Sequence, residues 1–414
     1  MKKSLLPLAL FAAGLVMSGN LRAQVNDPGQ VAKDGATNHV NDNISNGVDN
    51  GLNKTENAIK GLFKKKNKTA PAANTNANAA GTNSNGTAAQ ATPAGPVSLK
   101  TYANYDFVPG EKIIFEDNFA DDQDGEFPAH WKLGKGQAII NKVNGGEQAF
   151  FLTEGNYVRV APRMKTEKDY LPSDFTVEFD FFFTDGSYPP VLLFTTKDDQ
   201  NRNVNFGKEV STGYFPNDLS ADYPGDQTNY AGKWHHAAMI KKGNQIKCYE
   251  DQYRVLVMPD CGSCEVSFVE VGGIGSTENP IVFKNFRIAE GGSMNMIGQK
   301  FTDAKIITHG INFDIDKATI KPESMGTLNM IVKILQGNPD LKFEIDGHTD
   351  NTGNAPHNLA LSQQRADAAK AQLVAMGIDA SRLTTKGFGD SRPIADNSTV
   401  EGKANNRRIE FVKM

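Results

Sequence analysis

GHTDNTGNAPHNLALSQQRA, residues 347–366, is the stretch from which the rest of the chain can be read. A Gly/Asn/Pro-rich segment carrying Asp350 follows the strand-like run Leu341–Gly347. It precedes a helical pattern, Leu359–Met376, that Gly377 stops. Asp350 therefore falls on a loop and Arg365 on the helix after it. The carboxylate can take an ammonium, and the planar fork of the guanidinium takes a carboxylate through two parallel hydrogen bonds. Together they can grip a zwitterion, such as a free amino-acid end. Thr352 and Asn358, both able to hydrogen-bond, lie between the two charges.

Outward from this stretch, Lys305–Phe313 reads as a strand. Pro322–Gln336 reads as a helix with proline near its start and Gly337 at its end, and Leu383–Gly389 and Arg407–Val412 read as two further strands. Strands alternating with helices predict a compact α/β layer of the order βαβαββ over residues 300–414. In the last strand Arg407 shares parity with Ile409 and Phe411, which points it inward. His348 is expected to make a structural hydrogen bond and His357 to be exposed.

Three strings, GHTDNTG from Gly347, NLALSQQRA from Asn358 and NRRIE from Asn406, resemble in order the OmpA/MotB C-terminal domain, a family that binds peptidoglycan. The resemblance runs from Lys305 to the end of the chain. It implies that Asp350 pairs with the ammonium and Arg365 with the carboxylate of a diaminopimelate-containing stem peptide. Thr352 and Asn358 match positions that hydrogen-bond the ligand. Asp316, within FDIDK at 313–317, falls where the family has a polar ligand contact, although its charge departs from the pattern. Arg407 is placed to brace the site or to reach a ligand carboxylate. No catalytic residue, metal or cofactor is expected, since no ligand spacing, nucleophile elbow or acid aimed at a scissile bond is present.

Residues 109–292 have another texture. In FTVEFDFFF, 175–183, every odd position is apolar, a period of two that predicts a strand with one buried face. Further strand signals at Val191–Thr195, Trp234–Ile240, Ile246–Tyr249, Val266–Val271 and Ile281–Ile288 are separated by Gly/Pro/Asp turns, which predicts an all-β antiparallel sandwich. DNF at 117, GEFPAHW at 125, GKWHHAAMI at 232 and VFKNFRIAEGG at 282 resemble concanavalin A/laminin-G-like jelly rolls. That resemblance implies a surface that binds carbohydrate or protein. Glu178 and Asp180 share a face, as in the glucanase pattern of that fold. Phe183, however, stands where the last acid belongs, so the pair needed for glycoside hydrolysis is incomplete. Trp131 and Trp234 could stack on sugar rings, but Trp234 lies in a strand that reads as core. The Asp121–Asp124 turn reads as a solvated acidic turn, with calcium coordination as the competing reading.

At the start of the chain, Lys2-Lys3, the apolar run Leu5–Met17 and Ala23 form a secretory signal peptide over 1–23. No cysteine follows it directly, so a lipid-modified N-terminus is not expected. Residues 24–108 predict a disordered Asn/Ala-rich linker, nearly low-complexity in APAANTNANAAGTNSNGTAAQATPAG from Ala70. Val40, Ile44, Val48 and Leu52, with Ile59 and Phe63, allow a short amphipathic helix that Gly47 and Gly51 weaken. The three cysteines, Cys248, Cys261 and Cys264, are too few for a zinc site, and Cys261 and Cys264 can close a small loop. With 44 basic and 48 acidic residues the net charge is −4, and nucleic acid is not an expected partner.

The whole predicts a non-catalytic cell-envelope protein, exported to the periplasm or the outer-membrane surface. It is held on peptidoglycan, with outer-membrane or envelope proteins and carbohydrate as further partners through the sandwich. A secreted glycan-active jelly-roll enzyme and an outer-membrane barrel with a periplasmic tail are the competing readings.

Overall fold

The computed structural model describes residues 102, 105–292 and 301–414. The expectations for the signal peptide, and for the linker with its amphipathic segment up to residue 101, lie outside the described residues. Packed chain is present from Tyr105: Tyr105, Phe107 and Val108 are all buried.

Thirteen strands build the N-terminal part. They are β1 (Lys112–Asp117), β2 (Trp131–Lys142), β3 (Gln148–Pro162), β4 (Phe175–Phe183), β5 (Val191–Thr196), β6 (Asn201–Asn205), β7 (Glu209–Gly213), β8 (Ser220–Asp222), β9 (Lys233–Lys242), β10 (Gln245–Glu250), β11 (Tyr253–Met258), β12 (Val266–Gly275) and β13 (Ile281–Glu290). Hydrogen bonding follows the order β11-β10-β9-β4-β13-β3-β12-β5-β6-β7-β8, with β1 added to β13 and β2 to β3, and every pairing is antiparallel. Alternation supplies the core: Phe175, Val177, Phe179 and Phe181 of β4 point one way and are fully buried. Trp131 is the hub. Its ring lies 5.1–5.9 Å from those of Phe115, Phe119, Phe150, Phe283 and Phe286, and its Nε1–H donates to Asp117 Oδ2 at 2.9 Å. The two tryptophans thus exchange the roles read from sequence. Trp131 is core, whereas Trp234 is half-buried with the Lys284 ammonium 4.4 Å above its ring. Cys261 and Cys264 form a disulfide, and Cys248 is a buried thiol that burial pushes up to about 12.

The C-terminal part has a four-stranded sheet. β14 (Lys305–Thr308), α1 (Met325–Gly337), β15 (Phe343–His348), α2 (Ala355–Ala375), β16 (Leu383–Gly389), α3 (Val400–Asn406) and β17 (Ile409–Lys413) follow in sequence. The sheet order is β14-β17-β15-β16, with only β15 and β16 parallel. The expected βαβαββ order is therefore corrected to βαβαβαβ. Thr399 caps α3, its side chain accepting from Gly402 N–H at 3.0 Å, and this short helix interrupts what read as one approach to the final strand. Lys305–Phe313 likewise yields only four strand residues. Beyond Thr308 the chain turns away, and Phe313 instead bridges to Ile320. α2 begins four residues before the expected start because Asn354 accepts from His357 N–H and Pro356 suits the first turn.

The two parts share a buried boundary. Tyr105 and Phe107 pack with Ala238, Ile240 and Tyr249 of the β-domain and with Leu328 and Ile331 of α1 in one cluster. Asn329 Nδ2 donates to the carbonyls of Tyr102 and Tyr105. Asn405 reads the edge of β1 like another strand, accepting from Ile113 N–H at 3.0 Å and donating to Ile113 O at 2.8 Å. This covering explains a departure in β4. The strand was expected to bury one face, yet Thr176 and Glu178 on the other face are also buried. Gly326, in the first turn of α1, touches the Phe107 backbone so closely that a Cβ would lie 1.7 Å from its carbonyl oxygen. Gly326→Ala is therefore expected to lower unfolding stability by about 3 kcal/mol, measured by denaturant titration, through forced separation of α1 from this segment. A loss below about 0.5 kcal/mol, within the range of ordinary surface changes, would contradict this close packing. Among the described residues no helix is long and apolar enough to cross a membrane.

A candidate ligand site at the domain boundary

β15 ends by delivering Asp350 to a loop that is tied on three sides. Asp350 Oδ1 accepts Thr352 N–H at 2.8 Å, and Oδ2 accepts Arg407 Nη1 at 2.5 Å. Asn358, buried on the first turn of α2, donates its amide to the carbonyls of Asp350 and Thr352 at 3.3 and 3.1 Å. The side chain that was expected to meet ligand thus holds the loop in shape. Burial raises the Asp350 carboxyl, but Arg407 and the Thr352 N–H outweigh it and keep the group below the usual carboxylate range.

Arg365 lies two turns further along α2, half-buried. Its Nε donates to Lys317 O at 2.9 Å, and the guanidinium rests 5.0 Å from the Phe313 ring centre. Among the described residues no carboxylate comes within ion-pair distance of it. Burial, and then the nearby charge of Arg407, lower its pKa, as expected for a cation without a close counter-ion. Asp316 stands at the mouth with a positive φ of 54° and accepts from His357 Nε2 at 2.6 Å. Both are exposed, and together they close a loop-to-helix contact across the rim.

Arg407 does not sit on a strand. It is the residue that ends α3, so strand parity was the wrong reason for its inward position. Its fork is divided, with Nη1 on Asp350 and Nη2 on Glu116 Oε1 at 3.1 Å. Asp350, Thr352, Asn358, Arg365, Arg407 and Asp316 all line one cleft of about 760 Å³.

The opposite wall comes from the β-domain, and sequence reading missed it. Glu116, Arg287 and Glu178 are cross-strand partners on β1, β13 and β4 and form a row of alternating charge. Arg287 Nε donates to Glu116 at 3.2 Å, and its Nη1 donates to Glu178 at 3.1 Å and to His309 O at 3.2 Å. Burial opposes ionisation of Glu116, yet Arg287 and Arg407 hold its carboxyl down at about 2. The usable signal was a charged residue inside an apolar strand, Arg287 between Phe286 and Ile288. Glu178 and Asp180 do share a face, as expected, but their partners are structural: Arg287 for Glu178, and His236 and Asn285 for Asp180.

His348 lines the floor. Its ring stacks on Phe388 at 5.3 Å, and burial followed by Arg408 lowers its pKa to about 4, so it is neutral at physiological pH. The structural hydrogen bond expected of its side chain is absent among the described residues. Among the described residues two groupings have the composition of metal sites: Asp117, Asp121 and His130, and Asp346, His348 and Glu410. In each an acid is already held by protein donors. Asp117 takes Phe119 N–H and Trp131 Nε1–H, and Glu410 takes Arg408 and Lys305.

Comparison with known proteins places this geometry in context. The family model described as "OmpA family" matches residues 312–407. The probable lipoprotein YiaD of Escherichia coli is 45% identical over 103 residues, which are 25% of this chain and 47% of that protein. The peptidoglycan-binding protein ArfA of Mycobacterium bovis is 42% identical over 102 residues, 25% of this chain and 31% of that protein. Among solved structures, the cell wall anchor of the T6SS from Pseudomonas aeruginosa is 30% identical, covering 27% of this chain and 80% of that one, with a TM-score of 0.25. The chain spans about half, or less, of the length of the curated relatives it matches.

Proposed function

Residues 312–407 form an OmpA family domain, and on that premise we propose that the chain is a non-catalytic cell-envelope protein that anchors to peptidoglycan by gripping the amino-acid end of a diaminopimelate stem peptide. One observation carries the reading. Asp350 and Arg365 open on the same cleft without pairing with each other, which leaves a site for an ammonium beside a site for a carboxylate. In this reading Asp350 takes the ammonium and Arg365 the carboxylate. Thr352 shapes the rim and adds a hydrogen bond, Asn358 fixes the loop, Arg407 braces Asp350, and Asp316 bounds the mouth.

The β-domain is, in the same reading, a jelly-roll module of the concanavalin A/laminin-G type that displays a surface for carbohydrate or for another envelope protein. The chain works in the periplasm or at the outer membrane, with an N-terminal signal and tether supplying export and reach. Relatives with such names as outer membrane porin F and outer membrane protein A support that location.

The test is co-sedimentation of the full chain with purified diaminopimelate-type peptidoglycan. The wild type is expected in the pellet. Arg365→Ala, which removes the carboxylate fork, is expected to shift the apparent affinity about thirtyfold, since charge-assisted hydrogen bonds contribute roughly 1.5–3 kcal/mol. Equal pelleting of the two proteins would remove Arg365 from the site.

A further inference from the structure

The cleft is built from both domains, and five of its charged groups form a chain that crosses the boundary. Asp350, Arg407, Glu116, Arg287 and Glu178 contact one another in that order. Glu116 and Arg407 are 291 residues apart in sequence. We propose that Glu116, supplied by the β-domain, is a positioning residue of the ligand site: it takes up the charge of Arg407 so that Asp350 stays attractive to a ligand ammonium. The proposal rests on the wall-binding reading above.

Asp350 and Arg407 alone would form a neutral pair, and a ligand cation would meet no net charge there. The chain of five holds three carboxylates against two guanidiniums and so carries one net negative charge. At the far end His236 Nε2 lies 3.6 Å from Glu178 Oε2 while its Nδ1 meets Asp180 Oδ1 at 2.8 Å, so Asp180 and His236 together add no net charge to the chain. Asp350 also keeps room for a third partner. An ionised carboxylate has about four acceptor sites, and here one oxygen takes Thr352 N–H and the other takes Arg407. Glu116 draws the second Nη of Arg407 across the cleft, which holds the guanidinium to one side of the carboxylate. Removing Glu116 leaves two cations against two acids, and Arg407 with Asp350 as its sole acidic partner.

The test measures binding of meso-diaminopimelate, and of pimelate, which has the same chain length and no ammonium, to the full chain by calorimetry. Glu116→Gln is expected to weaken meso-diaminopimelate binding on the order of tenfold, the effect of one charge lost at short range in a partly screened site. Pimelate binding is expected not to weaken. The conservative variant Glu116→Asp keeps the negative charge on β1 beside Arg407, and it is expected to retain most of the meso-diaminopimelate affinity. A merely structural role predicts equal loss for both probes in Glu116→Gln. Either that pattern or an unchanged Glu116→Gln overturns the proposal. Should Glu116→Gln not fold, Glu116→Asp decides alone: a ratio of meso-diaminopimelate to pimelate affinity kept near the wild-type value supports the proposal, and loss of that ratio overturns it. A wild-type chain that binds neither probe overturns the wall-binding reading itself, which separates the two failures.

Discussion

Asp350→Asn is expected to cost the full chain about a hundredfold in affinity for diaminopimelate-type peptidoglycan, because it removes the one acid that can take the ligand ammonium in a charge-assisted bond. Asparagine keeps the shape and can still accept the Thr352 N–H that closes the loop, so the rim survives. Asn358 goes on holding the carbonyls of residues 350 and 352, which are backbone groups untouched by the change. What disappears is charge. Arg407 keeps Glu116 as its acidic partner, and the cleft shifts by one unit toward positive. The expected signature is lost binding in a protein whose thermal unfolding moves little. A variant that unfolds as early as it loses binding would instead make Asp350 a structural acid.

Arg287→Ala is expected to act the other way, on stability rather than on contact with ligand. Its guanidinium is 15% exposed and serves Glu116, Glu178, His309 O and Asn312 together. Deleting it leaves the buried Glu178 and the largely buried Glu116 without their main cation on the wall of the cleft. Breaking a buried pair in this one-sided way costs about 3–5 kcal/mol, and the loss here should lie at the upper end. The same β1–β13 ladder provides the control. Lys112 and Glu290 also form a cross-strand pair, at 2.9 Å, but their side chains are 70% and 47% exposed. Lys112→Ala is expected to change stability by about 0.5 kcal/mol or less. Denaturant titrations of the two variants measure the contrast, and similar losses for both would deny the boundary its buried character.

These expectations divide along the line between what local sequence specifies and what only the folded chain brings together. The placing of Asp350 on a loop and Arg365 on the following helix was legible because loop, cap and helix lie within twenty residues. Leu383–Gly389 was legible to the residue, with Gly389 at its end. α3 was not. Seven residues containing Gly402 and two asparagines carry no helical period, and the one signal was the threonine cap three residues ahead of Gly402. The placement of Trp131 and Trp234 was misread because a strand's parity does not say which face is covered. β4 made the same point, as Thr176 and Glu178 on its polar face turned out to be buried. Glu116 could not be assigned to the site from sequence at all. It meets Arg407 only because Asn405 docks α3 on the edge of β1.

The central claim is that one acid and one guanidinium read the two ends of an amino-acid group, and displacement tests it most directly. The full chain is bound to diaminopimelate-type sacculi, and free meso-diaminopimelate or pimelate is added at matched concentration and ionic strength. The account predicts that meso-diaminopimelate releases the protein and pimelate leaves it bound. Release by both alike, or by neither, would contradict it.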